Sequence, residues 1–237
     1  AKRDEVITTL FSHPADAAVP IVKGYKVTII QPDSEGYPDI EAFKAALSDR
    51  TAAIFFTNPE DTGIFNVRIK EFTRLAHEKG ALCCYDQANA NGLLGITRTA
   101  EADFDMSFFN LHKTFSAPHG CGGPATGMVA ARKELRPYMP VPLVEHCPEK
   151  GYYLDFDLPK SCGKIKSFWG VIPVVLKAYS WIMTLGAEGL EEVSRVAILN
   201  NNYCMKKILA IKGASMSFPN HPSRIEQVRY SWAKLKE

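Results

Sequence analysis

An α/β fold with a mostly parallel sheet, covered by helices on both faces, is what this chain predicts. Two observations carry that expectation. Short apolar runs rich in β-branched residues alternate with segments of helical period through the first half of the sequence. The helical segments also close on glycines, at Gly24 and Gly80, and each glycine leads straight into the next apolar run.

Taken in order, Glu5 to Phe11 reads as a strand and Pro14 to Lys23 as a short helix. Tyr25 to Ile30 is a β-branched strand, and Pro32 to Gly36 is a turn. Asp39 to Leu47 is a helix with Asp39 placed to cap it. Thr51 to Thr57 is a strand, followed by a loop from Asn58 to Gly63 with Pro59 and Gly63 as breakers. Asn66 to Lys79 is a helix capped by Asn66, with Ile69, Phe72, Leu75 and Ala76 at helical spacing. Ala81 to Tyr85 and Asp105 to Phe109 are further strands. From about Met128 the period is lost. Arg136 to Pro148 carries prolines at 137, 140, 142 and 148 and reads as an extended loop, and Gly151 to Gly163 has no clear period. Two helices, about Phe168 to Leu185 and Ala187 to Leu209, meet at Gly186. The expected organisation is a large domain over 1–165, connecting helices over 166–210, and the start of a smaller α+β C-terminal domain over 211–237. The chain begins without Met and ends in a charged amphipathic segment, so it is expected to be part of a longer protein.

Composition removes several classes of function. Net charge is +2, too small to argue for nucleic acid or a membrane surface. No apolar run approaches the length of a membrane span, and no signal peptide is visible. None of the six cysteines forms a C-x-x-C pair and no Cys/His cluster has zinc spacing, so no metal site is expected. Cysteine usage suits a reducing, cytoplasmic compartment.

In a parallel sheet ligands bind beyond the carboxyl ends of the strands. His13, Asn58, Asp86 and Lys113 all follow a strand, so the topology brings them to one rim. A lysine and an aspartate at two strand ends are what a pyridoxal phosphate enzyme needs. The lysine forms an imine with the aldehyde, and the aspartate keeps a proton on the ring nitrogen. His112 and the glycines from Gly120 to Gly123 suit an anion such as a phosphate. Each residue also has a plainer reading. Lys113 reads equally as a solvated strand end, Asp86 as a turn cap, and His13 as a neighbour of a capping Ser12. Thr57-Asn58-Pro59 is equally a turn or a source of polar groups for the cofactor or a substrate carboxylate. Ala88 is small enough for a flat ring to lie against it.

The segments Thr57-Asn58-Pro59, Tyr85-Asp86-Gln87-Ala88-Asn89 and Asn110 to Gly120 resemble the P-protein family of the glycine cleavage system, most closely its two-subunit form. Tyr152 to Asp155, Pro159-Lys160-Ser161 and Thr184 to Leu190 extend the likeness over nearly the whole chain, although Cys121 interrupts what is usually a run of glycines. The resemblance implies a fold-type I pyridoxal phosphate enzyme that decarboxylates glycine and passes the aminomethyl group to the lipoyl arm of H-protein. It implies that Lys113 is the Schiff-base lysine, Asp86 the ring-nitrogen partner and His13 the ring-stacking residue. His112 would lie by the phosphate and Thr57 near the cofactor oxygen. It also implies a companion subunit 1, a hetero-oligomer, and a phosphate-binding segment ahead of residue 1. The competing expectations are another fold-type I enzyme, such as a cysteine desulfurase-like lyase or an aminotransferase, and a non-catalytic scaffold.

Overall fold

The computed structural model describes residues 2–166, 169–221 and 223–235. Its centre is a six-stranded sheet in the order β2-β1-β3-β4-β5-β6. The strands are β1 (Glu5–Thr9), β2 (Lys26–Ile30), β3 (Thr51–Thr57), β4 (Leu82–Asp86), β5 (Met106–Asn110) and β6 (Gly127–Ala131). The first five run parallel, and β6 returns antiparallel to β5 along the edge.

The helices α1 (Pro14–Val22), α2 (Ile40–Ala46) and α3 (Ile69–Glu78) connect successive strands. Alternation decides which strand residues meet them. Ile54 and Phe56 of β3 pack with Phe43 of α2 and Phe72 and Ala76 of α3 in the main core. The rings of Phe43, Phe56 and Phe72 lie 4.9 to 5.6 Å apart in tilted and edge-on pairs, a geometry that adds roughly 1 kcal/mol per pair to area burial.

Asp39 caps α2 as expected, accepting from the amides of Glu41 and Ala42. At α1 the cap is His13, whose Nδ1 accepts from the Ala15 amide, while Ser12 turns inward. Asn66 does not cap α3 directly. Its side chain accepts from the Arg68 amide and its carbonyl from Ile69, one turn before the helix proper.

The second half departs further from expectation. Beyond a 3-10 turn (Lys133–Tyr138), β7 (Leu143–Cys147) and β8 (Gly151–Asp155) form an antiparallel hairpin inside the stretch read as loop. A long helix, α4 (Ile172–Leu209), is broken at Gly186, where φ is 64° and ψ −173°. The expected start of that helix at Phe168 lies outside the described residues. Its first half packs Val174 and Ala178 on Leu111, Phe115 and Ala117. Its second half is tied down by Ser194, whose hydroxyl donates to the Leu94 carbonyl at 2.8 Å. A two-stranded ribbon, β9 (Ser215–Met216) with β10 (Tyr230–Ser231), brackets a segment that returns to the sheet. Among the described residues no helix is long and apolar enough to cross a membrane.

Candidate active site

The carboxyl ends of β1, β3, β4 and β5 open into one cleft. His13, Thr57, Asp86, Ala88 and Lys113 all line it, joined by Glu226 from the returning segment. The sheet register explains the meeting. Thr57 is the cross-strand partner of Asp86, which in turn pairs with Phe108 on β5. Five residues beyond Phe108 the chain reaches Lys113, exposed at the cleft and held by a turn in which its amide donates to the Asn110 carbonyl.

Asp86 is only 4% exposed. Its Oδ1 accepts from the Ala88 amide at 2.8 Å, and it makes no salt bridge among the described residues. Burial pushes its carboxyl up; the Ala88 hydrogen bond, His13 and Lys113 work the other way. Asp16, on the first turn of α1, is buried beside it and is also pushed up, by burial first and then by the Asp86 charge. Two desolvated carboxyls side by side do not both ionise. The neighbouring charge adds to the rise at Asp16, whereas Asp16 works against the rise at Asp86.

Several other polar groups around the cleft are engaged with one another. Ser12 Oγ and Thr57 Oγ1 are 2.9 Å apart, stitching the end of β1 to the end of β3. The Asn58 side chain is consumed by Asn66, accepting from its amide at 2.8 Å and donating to its carbonyl at 3.1 Å. Asn58 is thus a turn former. The Thr114 hydroxyl accepts from the Ala90 amide at 2.8 Å and donates to Asn89 at 3.2 Å, which joins the lysine loop to the aspartate loop.

His112 stands apart. Its ring packs edge-on against His119 at 4.3 Å rather than lining the cleft. Burial lowers its pKa, as do the neighbouring His119 and Lys113. Sequence reasoning missed Asp16, Asp61 and Glu226 altogether. Asp16 had a signal, a carboxylate three residues past His13 in the first turn of a helix; Glu226 had none.

At the opposite end of the sheet His77, Cys83 and Asp105 lie together. Asp105 accepts from the Cys83 amide at 2.7 Å, meets His77 Nε2 at 2.9 Å and sits 3.3 Å from Arg132 Nε. The Cys83 thiol is pushed strongly up by burial and then by Asp105, and points at the Thr73 carbonyl. A protonated thiol is a poor metal ligand, so this cluster is a charge network.

The profile of the aminotransferase class-V family matches residues 1–144. A relative in Caldanaerobacter subterraneus subsp. tengcongensis, named probable glycine dehydrogenase (decarboxylating) subunit 2, is 46% identical over 87% of this chain and 42% of its own length. One of the same name in Pyrococcus horikoshii is 40% identical over 100% of this chain and 47% of its own. The chain thus spans about half the length of the curated relatives it matches. Among solved structures, a glycine decarboxylase (P-protein) of the glycine cleavage system, in inhibitor-bound form, superposes with a TM-score of 0.78 at 21% identity, covering 94% of this chain and 52% of that one. A cysteine desulfurase from Escherichia coli gives 0.67 at 19% identity, over 98% of this chain and 57% of that one. These likenesses establish the fold-type I architecture. With the family profile covering well over half of its residues, this chain belongs to the aminotransferase class-V family.

Proposed function

We propose that this chain is the cofactor-binding part of a pyridoxal phosphate enzyme that decarboxylates glycine as subunit 2 of a glycine dehydrogenase. One observation carries the reading: Lys113 and the buried carboxyl of Asp86 line a single cleft at the carboxyl ends of the strands. The names of the relatives support the choice of glycine over other amines.

The cleft fits the cofactor by its donor set. Asp86 is a buried carboxyl with one amide donor and no salt bridge among the described residues, and a protonated ring nitrogen would supply the cation that favours its charged form. When bound, pyridoxal phosphate supplies an aldehyde for an amine and a protonated ring that takes up the electron pair left as carbon dioxide departs. The protein's part is to hold and orient. Lys113 offers the amine. Asp86 keeps the ring nitrogen protonated, with Asp16 buried beside it. His13, Ala88 and Thr57 line the cleft, and Thr57 would offer the ring a polar group. His112, behind the glycine-bearing loop, is assigned to the phosphate side with its neighbour His119.

The proposed partners are a companion subunit 1 and lipoylated H-protein in a hetero-oligomer, in the cytoplasm. Six free cysteines, two of them buried, support a reducing compartment. The test is exchange of labelled bicarbonate into the glycine carboxyl with the companion subunit and H-protein present. Exchange that disappears in Lys113→Ala is expected. No exchange, together with sulfide release from cysteine, would replace this reading with a desulfurase-like one.

A further inference from the structure

Glu226 is a half-buried acid on the wall of the Lys113 cleft that the reading above leaves without a task. Several contacts show that it is placed rather than adrift. The Ile225 amide donates to the Gly63 carbonyl at 2.8 Å, and Gln227 Nε2 donates to Asp61 at 3.0 Å, so the residues on either side of Glu226 are both fastened to the loop after β3. Just upstream, the Arg224 guanidinium, 1% exposed, donates to the carbonyls of Ser217, Phe218, His221 and Ser223. The Asn202 side chain clasps the Arg224 backbone from α4. Finally, Gly63 has φ 76°, and a Cβ there would overlap the Gln227 carbonyl oxygen. The strap needs that glycine to lie where it does.

The carboxyl itself is unusual. Glu226 Oε2 is buried with no hydrogen-bond partner among the described residues. The groups facing it are Lys113 on the loop after β5, Asp61 after β3, and Tyr85 on β4, with His13 and Asp86 lining the same cleft. Arg229, on its own segment, is engaged with Asp61 at 3.2 Å. Burial pushes Glu226 up to about 8, with Lys113 pulling it down and Asp61 adding to the rise. Near neutrality it holds a proton with nothing to give it to.

We propose that Glu226 is the proton donor for imine formation at Lys113. This rests on Lys113 being the cofactor amine. When the Lys113 nitrogen bonds to an aldehyde carbon, the aldehyde oxygen has to leave as water. One N–H proton of the attacking amine passes to the aldehyde oxygen as the C–N bond forms, Glu226 gives the resulting hydroxyl its second proton, the C–O bond breaks to release water, and the nitrogen lone pair closes the C=N bond. The proton then shed by nitrogen restores the carboxyl. Positioned general acids contribute roughly 100-fold or more to such steps.

The test follows pyridoxal phosphate mixing with the full-length protein freed of cofactor. The rate of appearance of the imine chromophore is measured against pH, and the end product is fixed by borohydride and mapped by mass spectrometry. Wild type is expected to react fast at neutral pH and to slow as pH rises through about 8. Glu226→Gln should react roughly 100-fold more slowly at neutral pH, with that pH dependence gone and the final amount fixed on Lys113 unchanged. Glu226→Asp should recover part of the rate and the slope. An unchanged rate and profile in Glu226→Gln, with Lys113 still labelled, overturns the Glu226 proposal alone. No label on Lys113 in wild type overturns the Lys113 reading and this proposal together.

Discussion

The two ends of the central sheet handle buried charge in opposite ways. At the amino end every prominent carboxylate has a cation. Asp103 and Asp105 are bridged by His77 and Arg132. At the carboxyl end Asp16, Glu60, Asp86 and Glu226 make no salt bridge among the described residues and are pushed up chiefly by burial. Paired charges hold two elements together. Unpaired buried acids cost stability, so their retention marks the end of the sheet where a ligand supplies the missing partners.

The largest expected contrast comes from Lys113→Ala. It should abolish the borohydride-fixed adduct completely while moving thermal stability by about 0.5 kcal/mol or less, because the side chain is exposed. Peptide mapping and a melting curve check both halves, and a variant still labelled at another lysine would break the contrast.

Asp105→Ala should do the reverse. Removing a carboxylate that serves His77, Arg132 and the Cys83 amide should cost about 3–5 kcal/mol in denaturant titrations. The folded fraction should still take cofactor on Lys113. Loss of binding without loss of stability would erase the distinction between the two ends.

Gly63→Ala probes how the carboxyl end is assembled. A side chain at φ 76° that overlaps Gln227 should cost about 2 kcal/mol. The loss should be local: faster hydrogen exchange at the Ile225 amide, with the amides around Cys83 unchanged. Equal loosening at both ends would mean that the strap is part of the core.

The smallest effect is one of pH. Glu60, hydrogen-bonded to Thr9, is raised by burial from 4.5 to about 7. A carboxyl raised in the folded state gives its full contribution below about pH 4.5 and loses it as pH climbs through about 7. Glu60→Gln should therefore gain about 1–3 kcal/mol on wild type at about pH 8 relative to about pH 5. Asp103 runs the other way. Burial works upward on it, but the Arg132 and His77 contacts leave it below the usual carboxylate range, so its contribution fades as pH falls. Stability profiles of Glu60→Gln and Asp103→Asn with the same sign would contradict the comparison.

Most of the sheet was legible because its strands are buried and apolar, and because glycines end the helices between them. Strands β1 to β5 fall within a few residues of their expected bounds. Strand β6 was missed because an edge strand of small, exposed residues has no buried face to print a pattern. The β7–β8 hairpin escaped for the same reason. Val144, Tyr152 and Leu154 are exposed, and the prolines around the hairpin spoke for a loop. At the site, Thr57 lines the cleft while Asn58 is spent on Asn66; strand-end logic, which named Asn58, did find Lys113, Asp86 and His13. It could not find Glu226, which arrives from more than a hundred residues away along a strap that no local period announces.

Thr114 has a consequence of its own. On the proposed reading a flat cofactor would be gripped at two points, its aldehyde by one loop and its ring nitrogen by another, with the span between them set by the ring. The Thr114 hydroxyl ties the turn that follows Asp86 to the loop that carries Lys113. The two loops therefore behave as a fixed-gauge caliper. A molecule whose aldehyde and ring nitrogen are spaced differently would meet both jaws at the wrong width, however well it suited either one.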